Sequence, residues 1–392
     1  MKMLYFEMRK NWMRIPIIIT LAVLSFLSVY KLSAECRSAN ARKCGDGKAW
    51  YWSAYKQYRG EISNEKIAEF RYVSDTLSAQ YSSGNYSAAY KGTYITGYLA
   101  GDYILFNIDI KPEIAYAVTY PNISNTIALR AYENIELYNE IGMGYEARRN
   151  ALIYKAYQNR SIPEYRTTFW AEIFFNYDFS SLLCIVMLVS GLSPCFTNEK
   201  ESGMKTLIAA ASQKTKTYFA KISSAAVYCF FLSAYFTVFD ILSLHFIVGV
   251  DGLNMPVYSA ETLQKSPFGI TFLSAIILWI FIRFISLFLV SLIILLISKI
   301  SPNTIISITA GFASLLILMI FSIWSNGVFD PISALNPGAY IREFSVENIF
   351  GYPILTLHMA LAVLLIECAA LVFFIVFADK IPKAVRLCFK KK

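Results

Sequence analysis

The sequence predicts an all-α polytopic membrane protein with six transmembrane helices, and three observations carry that prediction. Of 392 residues, 56% are hydrophobic and only 16% are charged, whereas an ordinary soluble domain carries about 25% charged residues. Six apolar runs approach or exceed the roughly 20 residues that a helix needs to cross a bilayer. Lys and Arg gather beside alternate runs, the arrangement that fixes orientation in a membrane.

The runs lie near Ile15–Tyr30, Phe179–Phe196, Ile222–Val250, Phe268–Ser298, Thr304–Trp324 and Pro353–Ala378. The first is the shortest, so a cleavable signal peptide is its alternative reading. Lys2, Arg9, Lys10 and Arg14 would form the basic region and Leu32-Ser33-Ala34 the cleavage end. The stretch before Arg14 is itself amphipathic and the later spans need no signal, which favours a retained span. Basic residues crowd the N-terminus, the loop with Lys200, Lys205, Lys214, Lys216 and Lys221, and the tail from Lys380 to Lys392. The alternate loops hold only Lys265 and Arg342. Both termini are therefore expected in the cytoplasm, which requires an even number of spans. The net charge of +9 admits nucleic acid as a partner in principle. Its placement beside apolar runs instead points to the lipid bilayer and to no nucleic acid.

The expected organisation is a cytoplasmic segment 1–14, a first span 15–30, an extracellular helical domain 31–177, spans two to six over 178–378, and a basic cytoplasmic tail 379–392. The outer domain is nearly neutral, with 16 Lys and Arg against 15 Asp and Glu between Glu35 and Glu172, and is long enough for a core of its own. Tyr86, Tyr90, Tyr94 and Tyr98 recur along one slowly drifting helix face, for packing or for contact with a substrate or outer partner. A second helical stretch, Ser124–Gln158, should bend at Gly142 and Gly144. Five of the seven cysteines lie in or beside spans or in the tail. Cys36 and Cys44 fall outside, and a disulfide between them in an oxidising exterior stands beside two free thiols as the open alternatives. No metal-ligand spacing occurs.

The loop after the second span carries the most information. Asn198 can cap a helix, and Glu199 and Glu201 suit its positive end. Met204, Leu207, Ile208 and Ala211 then fall at i, i+3, i+4 and i+7, an apolar stripe over 198–212. Such a helix can lie on the membrane or dock in a groove of another protein.

Phe196-x-x-Glu199-x-x-x-Gly203-x-x-x-Leu207, ending in Lys221 where the third span begins, resembles the exporter-type (type-2) ABC transporter permeases. Tyr5-Phe6-Glu7-Met8-Arg9-Lys10-Asn11-Trp12 is similar to that family's amphipathic elbow helix. Phe175-Asn176-Tyr177-Asp178-Phe179 resembles the start of the second span in members with a large outer insert. Leu335-Asn336-Pro337 resembles an outer loop that dips toward the membrane. The resemblance covers span order along the whole chain, and at residue level about twenty-five positions. One departure is Ala209-Ala210-Ala211-Ser212, where many members carry Pro. The resemblance implies that 198–212 is a cytoplasmic coupling helix, with Glu199, Glu201, Gly203, Met204, Leu207 and Ile208 in contact with an ABC ATPase subunit. It further implies two ATPase copies, a second permease copy or a sister permease, a bacterial plasma membrane, and an amphipathic cargo such as a peptide, antibiotic or lipid.

Nothing here binds ATP. Gly203-Met204-Lys205-Thr206 fails the phosphate-loop pattern because Met204 separates Gly from Lys. ATP and magnesium are expected on the partner subunit, with no cofactor on this chain and no enzyme activity of its own. The competing readings are an integral-membrane transferase and a membrane sensor or immunity protein. A transferase needs an acid–base pair, a metal or an activated nucleophile, and the two histidines, His245 and His358, read as packing residues. Charges within spans cost at least about 2.5–3.5 kcal/mol at the helix centre. Arg283 and Glu367 reach similar depth in two spans running the same way, so they are expected to pair. The alternative for Arg283 is snorkelling or a wet crevice, and Asp240, in the outer third of its span, is expected to face water.

Overall fold

A computed structural model describes residues 2–84, 95–204, 214–324 and 330–377. The protein is mainly helical, with two antiparallel strand pairs, Gly60–Glu61 with Glu164–Tyr165 and Val346–Ile349 with Tyr352–Leu355. Six helices are long and apolar enough to cross a membrane: Ile15–Asn40, Phe179–Glu201, Thr215–Ile247, Phe272–Ile300, Thr304–Trp324 and Thr356–Phe377. They are called the first to sixth spans below, and they make this a multi-pass membrane protein.

Local chemistry sets where the helices begin and break. Pro16 opens the first span, where a missing N–H costs nothing. Thr271 caps the fourth by accepting from the Ser274 amide, and Asn303 caps the fifth by accepting from Ile306. The first span runs ten residues beyond the expected Tyr30 and passes unbroken through Leu32-Ser33-Ala34 to Asn40. One face of this extension is packed inside the protein, where Leu32 and Cys36 are fully buried, while Arg37, Ser38 and Ala39 are exposed. The helical stretch 124–158 breaks at Gly142, whose φ of +75° is left-handed.

Burial orders the bundle. The apolar window of the second span is 78% buried and that of the fourth 61%, against 22%, 17% and 28% for the first, fifth and sixth. The second and fourth spans are therefore central. The fifth presents Ile305, Ile317, Ile320, Ile323 and Trp324 outward, as a lipid-facing helix does. The second and third spans pack closely at Gly191, where a Cβ would lie 2.7 Å from the Tyr228 ring.

The segment between the first two spans folds into a helical head. Its own core joins Tyr51, Tyr55, Tyr58, Phe70, Leu77 and Phe106. A second core, with Trp170, Phe175, Phe272 and Trp279, continues from the head into the bundle. The loops after the third and fifth spans lie on the same side as the head. Trp52 Nε1 donates to Val248 O at 2.8 Å, Tyr55 Oη to Asp251 Oδ2 at 2.5 Å, and Arg160 to Ser266 O at 2.8 Å. Arg148 donates to Gly351 O at 2.7 Å and covers the Tyr352 ring. Tyr86, Tyr90 and Tyr94 lie outside the described residues, as does the basic tail, and Tyr98 is exposed.

Candidate functional site

The second span does not stop at Phe196. Its helix continues through Pro194–Glu201, so Asn198 is inside the last turns of a helix and does not cap a new one. The Asn198 carbonyl accepts from the Ser202 amide, and Gly203 follows at φ +71°, a left-handed helix stop. The expected break fails because Phe196 to Glu201 stays helical after Pro194, and the helix stops only where Gly203 takes up a left-handed backbone.

Three successive residues of this helix end join four different elements. Glu199 accepts from Lys10 Nζ at 2.7 Å and from Lys221 Nζ at 2.6 Å, linking the N-terminal helix Lys2–Asn11 and the third span. Lys200 donates to the carbonyl oxygens of Lys299 at 2.7 Å and Ser301 at 2.5 Å, closing the end of the fourth span. Glu201 accepts from the Thr304 amide at 2.7 Å and its hydroxyl at 3.1 Å, opening the fifth. A cation on orphan carbonyls and a carboxylate on orphan amides are the pairings that helix termini favour.

Lys221 is the centre of this junction. Its side chain has no exposure, and it also reaches Glu7 Oε2 at 3.0 Å and Cys195 O at 2.9 Å above the Phe196 ring. Asn11 donates to Glu7, while Trp12 donates to Ser224 and stacks on Tyr228 at 4.9 Å. Two ammonium groups thus meet two carboxylates in a nearly water-free place. Each charge is desolvated, and the arrangement holds only while all partners are present.

This geometry sorts the expected contact residues. Glu199 is 8% exposed and turned inward, so it anchors the segment and is not on the surface. Glu201 is exposed but engaged with Thr304. Gly203 and Met204 are exposed, and Leu207 and Ile208 lie outside the described residues. The sequence reading gives Lys10, Lys200 and Lys221 no part in a buried polar junction. The signal that could have found them is that Lys221 begins an apolar run, where an unpaired ammonium is costly.

A second polar cluster lies within the bundle, and it corrects the expected Arg283–Glu367 pair. Arg283 is 1% exposed and donates to Leu335 O, Thr237 Oγ1, Ser180 Oγ and Ser181 Oγ, each at 3.2 Å, over the Trp279 ring. Its acidic neighbour is Asp240, which is 2% exposed and accepts from Ser28 Oγ at 3.0 Å, so Asp240 does not face water. Glu367 is partly exposed on the sixth span and is not among the partners of Arg283. Equal depth is insufficient because rotation about the helix axis decides which neighbour a side chain meets, and residue counting does not fix rotation.

The loop at Leu335-Asn336-Pro337 does fold into the bundle. Leu335 is buried, and its carbonyl accepts from Ser181 Oγ at 2.8 Å as well as from Arg283. Asn336 donates to Asp178 and Arg342 to Asn176, so this loop meets the start of the second span. Gly338 permits the approach, since a Cβ there would lie 2.2 Å from the Phe175 carbonyl oxygen. Cys36 and Cys44 are buried neighbours with thiols in hydrogen-bonding contact, and both are free. His245 and His358 are exposed, and His245 meets the Phe246 ring edge-on at 5.8 Å. No group of three or more metal-ligating side chains converges among the described residues.

Comparison with protein-family models, with curated proteins and with solved structures gives no match to this chain.

Proposed function

We propose that this chain is the membrane-spanning permease subunit of an ATP-driven exporter. The observation that supports this reading most is the junction of Glu199, Lys200 and Glu201, which ties the N-terminal helix and the third, fourth and fifth spans to the segment after Gly203. A push on that segment has polar links to four other elements, which is what a coupling element requires. In this reading Lys2–Asn11 is the elbow helix, and 198–212 seats in an ATPase subunit. Glu199 and Glu201 hold it from behind, while Gly203, Met204, Leu207 and Ile208 supply the contact. Two ATPase subunits carry ATP and magnesium, and a second copy or a sister permease completes the complex.

Both termini then face the cytoplasm of a bacterial plasma membrane and the head faces outward. The placement of the head beside the loops after the third and fifth spans agrees with that topology. The buried Arg283 cluster ties the third and fourth spans to the Leu335 loop, so a movement at the junction has a stiff polar tether on the far side. An amphipathic peptide, antibiotic or lipid is the cargo in this reading.

The test is purification of a tagged chain from native membranes in mild detergent, with identification of co-purifying chains and an ATPase assay. A stoichiometric partner with a phosphate loop, lost on Leu207→Asp with Ile208→Asp, is the expected result. Purification of the chain alone across several detergents would overturn the reading in favour of a sensor or a membrane enzyme.

A further inference from the structure

The head meets the loop after the third span around a cavity of about 160 Å³ walled by Lys43, Asp109, Glu113, Glu172, Ser259 and Glu261. Two of its carboxylates are already served. Asp109 accepts from Arg42 at 2.8 and 2.9 Å and from Asn40, and Glu113 accepts from Lys43 at 2.5 Å and from the Tyr51 and Tyr165 hydroxyls. The Glu172 and Glu261 carboxylates have no hydrogen-bond or ion-pair partner among the described residues. Four carboxylates against the cations of Arg42 and Lys43 leave two negative charges without a counterpart.

A second observation is independent of the charges. Ser259, one of the residues walling the cavity, is 6% exposed, and its buried hydroxyl has no hydrogen-bond partner among the described residues. Leaving a buried hydroxyl unpaired costs about 1–3 kcal/mol, so its natural complement is a donor or acceptor brought in by a ligand. Asp109 also belongs to a single π-helical stretch, Leu105–Ile110, a distortion that recurs at functional sites.

We propose that this cavity binds a primary ammonium on a short alkyl chain. A single metal ion does not fit, because the carboxylates do not converge on one point. The volume is well below the roughly 300–1,000 Å³ of a drug-sized pocket, which suits one side chain or amine. Glu172, Glu261 and the Ser259 hydroxyl supply three acceptors for the three donors of an ammonium group. Ile108, half exposed on the rim, gives the methylene chain an apolar wall. Ionised Glu172 is faced by Glu113, Lys43 and Glu261, with Asp109 and the Tyr116 hydroxyl on the same wall. Burial, then Glu113, pushes its carboxyl up to about 7. A cation therefore competes with a proton at this position, and the site stands apart from any transport reading.

The test uses the full-length chain in nanodiscs and calorimetric titration with N-acetyl-lysine amide, n-pentylamine, N-acetyl-norleucine amide and calcium. The expected result is saturable binding of the two amines at pH 8 and none of the norleucine derivative. Binding should weaken about tenfold in Glu172→Gln and severalfold in the exposed variant Glu261→Gln, which leaves folding intact. Between pH 8 and pH 5.5 it should weaken by about sevenfold, short of the full loss in Glu172→Gln, as the ionised fraction of Glu172 falls. Tighter binding of the lysine derivative would mark a peptide side chain as the source, and tighter binding of pentylamine a small free amine. Equal binding of the norleucine derivative, no change in either variant, or displacement of the amines by calcium would overturn the proposal.

Discussion

Lys221 Nζ lies 2.6 Å from Glu199 Oε1, fully buried, across the gap between the end of the second span and the start of the third. Because the same ammonium also holds Glu7, one side chain binds three helices. Removing it leaves two carboxylates near each other with only Lys10 to neutralise them.

Lys221→Met should therefore destabilise the protein by about 3–5 kcal/mol, the range for breaking a buried pair from one side. The double variant Lys221→Met with Glu199→Met should recover part of that loss, because an apolar pair replaces an uncompensated charge. Thermal unfolding in one detergent checks both, and a double variant no better than the single would show that the two charges are not coupled.

Arg283→Met should cost several kcal/mol, since four acceptors lose their donor in a buried place. Glu367→Gln should stay within about 1 kcal/mol of the parent. A double-mutant cycle should give coupling of Arg283 with Asp240 and none with Glu367. Coupling to Glu367 would restore the pairing expected from depth alone.

The Cys36 and Cys44 thiols are close enough to join. The Cys44 thiol is lowered by its hydrogen bond to Cys36, with the charges of Arg37, Lys48 and Lys43 assisting. A mild oxidant should remove two hydrogens from the pair, seen by intact mass, and Cys44→Ser should abolish that change. Persistence of both free thiols after prolonged oxidation would show that the pair is held apart.

Glu172 gives the head a pH dependence. Its carboxyl titrates near 4.5 when unperturbed and near 7 in the folded head. Between those values the folded state keeps a proton that the unfolded chain has lost. Stability should fall as pH rises from 4.5 to 7, by on the order of 2–3 kcal/mol, with little further change from this group on either side. Glu172→Gln should raise the unfolding temperature at pH 8 and leave it nearly unchanged at pH 4.5. An unaltered pH profile in the variant would assign the dependence to another group.

Much of the architecture was legible because membrane spans are written in hydropathy. Thr304–Trp324 matches the fifth span at both ends, since lipid enforces a continuous apolar run. The break at Gly142 was legible because only a residue without Cβ tolerates that backbone at no cost. The far end of the second span was not legible, although its start at Phe179 was. A helix passes from lipid into a polar environment without changing its hydrogen bonding, so the change in composition at Thr197 left no mark on the backbone.

The sites divide in the same way. Glu199 was visible as a charged residue beside a span, but its role was not, because the direction of its side chain depends on Lys10 and Lys221, 189 and 22 residues distant. The cavity at Glu172 and Ser259 left no pattern in the sequence, since its walls come from segments up to 218 residues apart, Lys43 to Glu261. The sequence by itself determined the six apolar helices, the large polar segment after the first and the alternating basic loops, because desolvation acts on each segment independently. Only the tertiary structure decided which charges come together: buried Arg283 lies near Asp240 and not Glu367, and Lys221 pairs with Glu199 and Glu7. Those choices depend on helix rotation and packing, and electrostatic partners form only where packing has already brought them within a few ångströms.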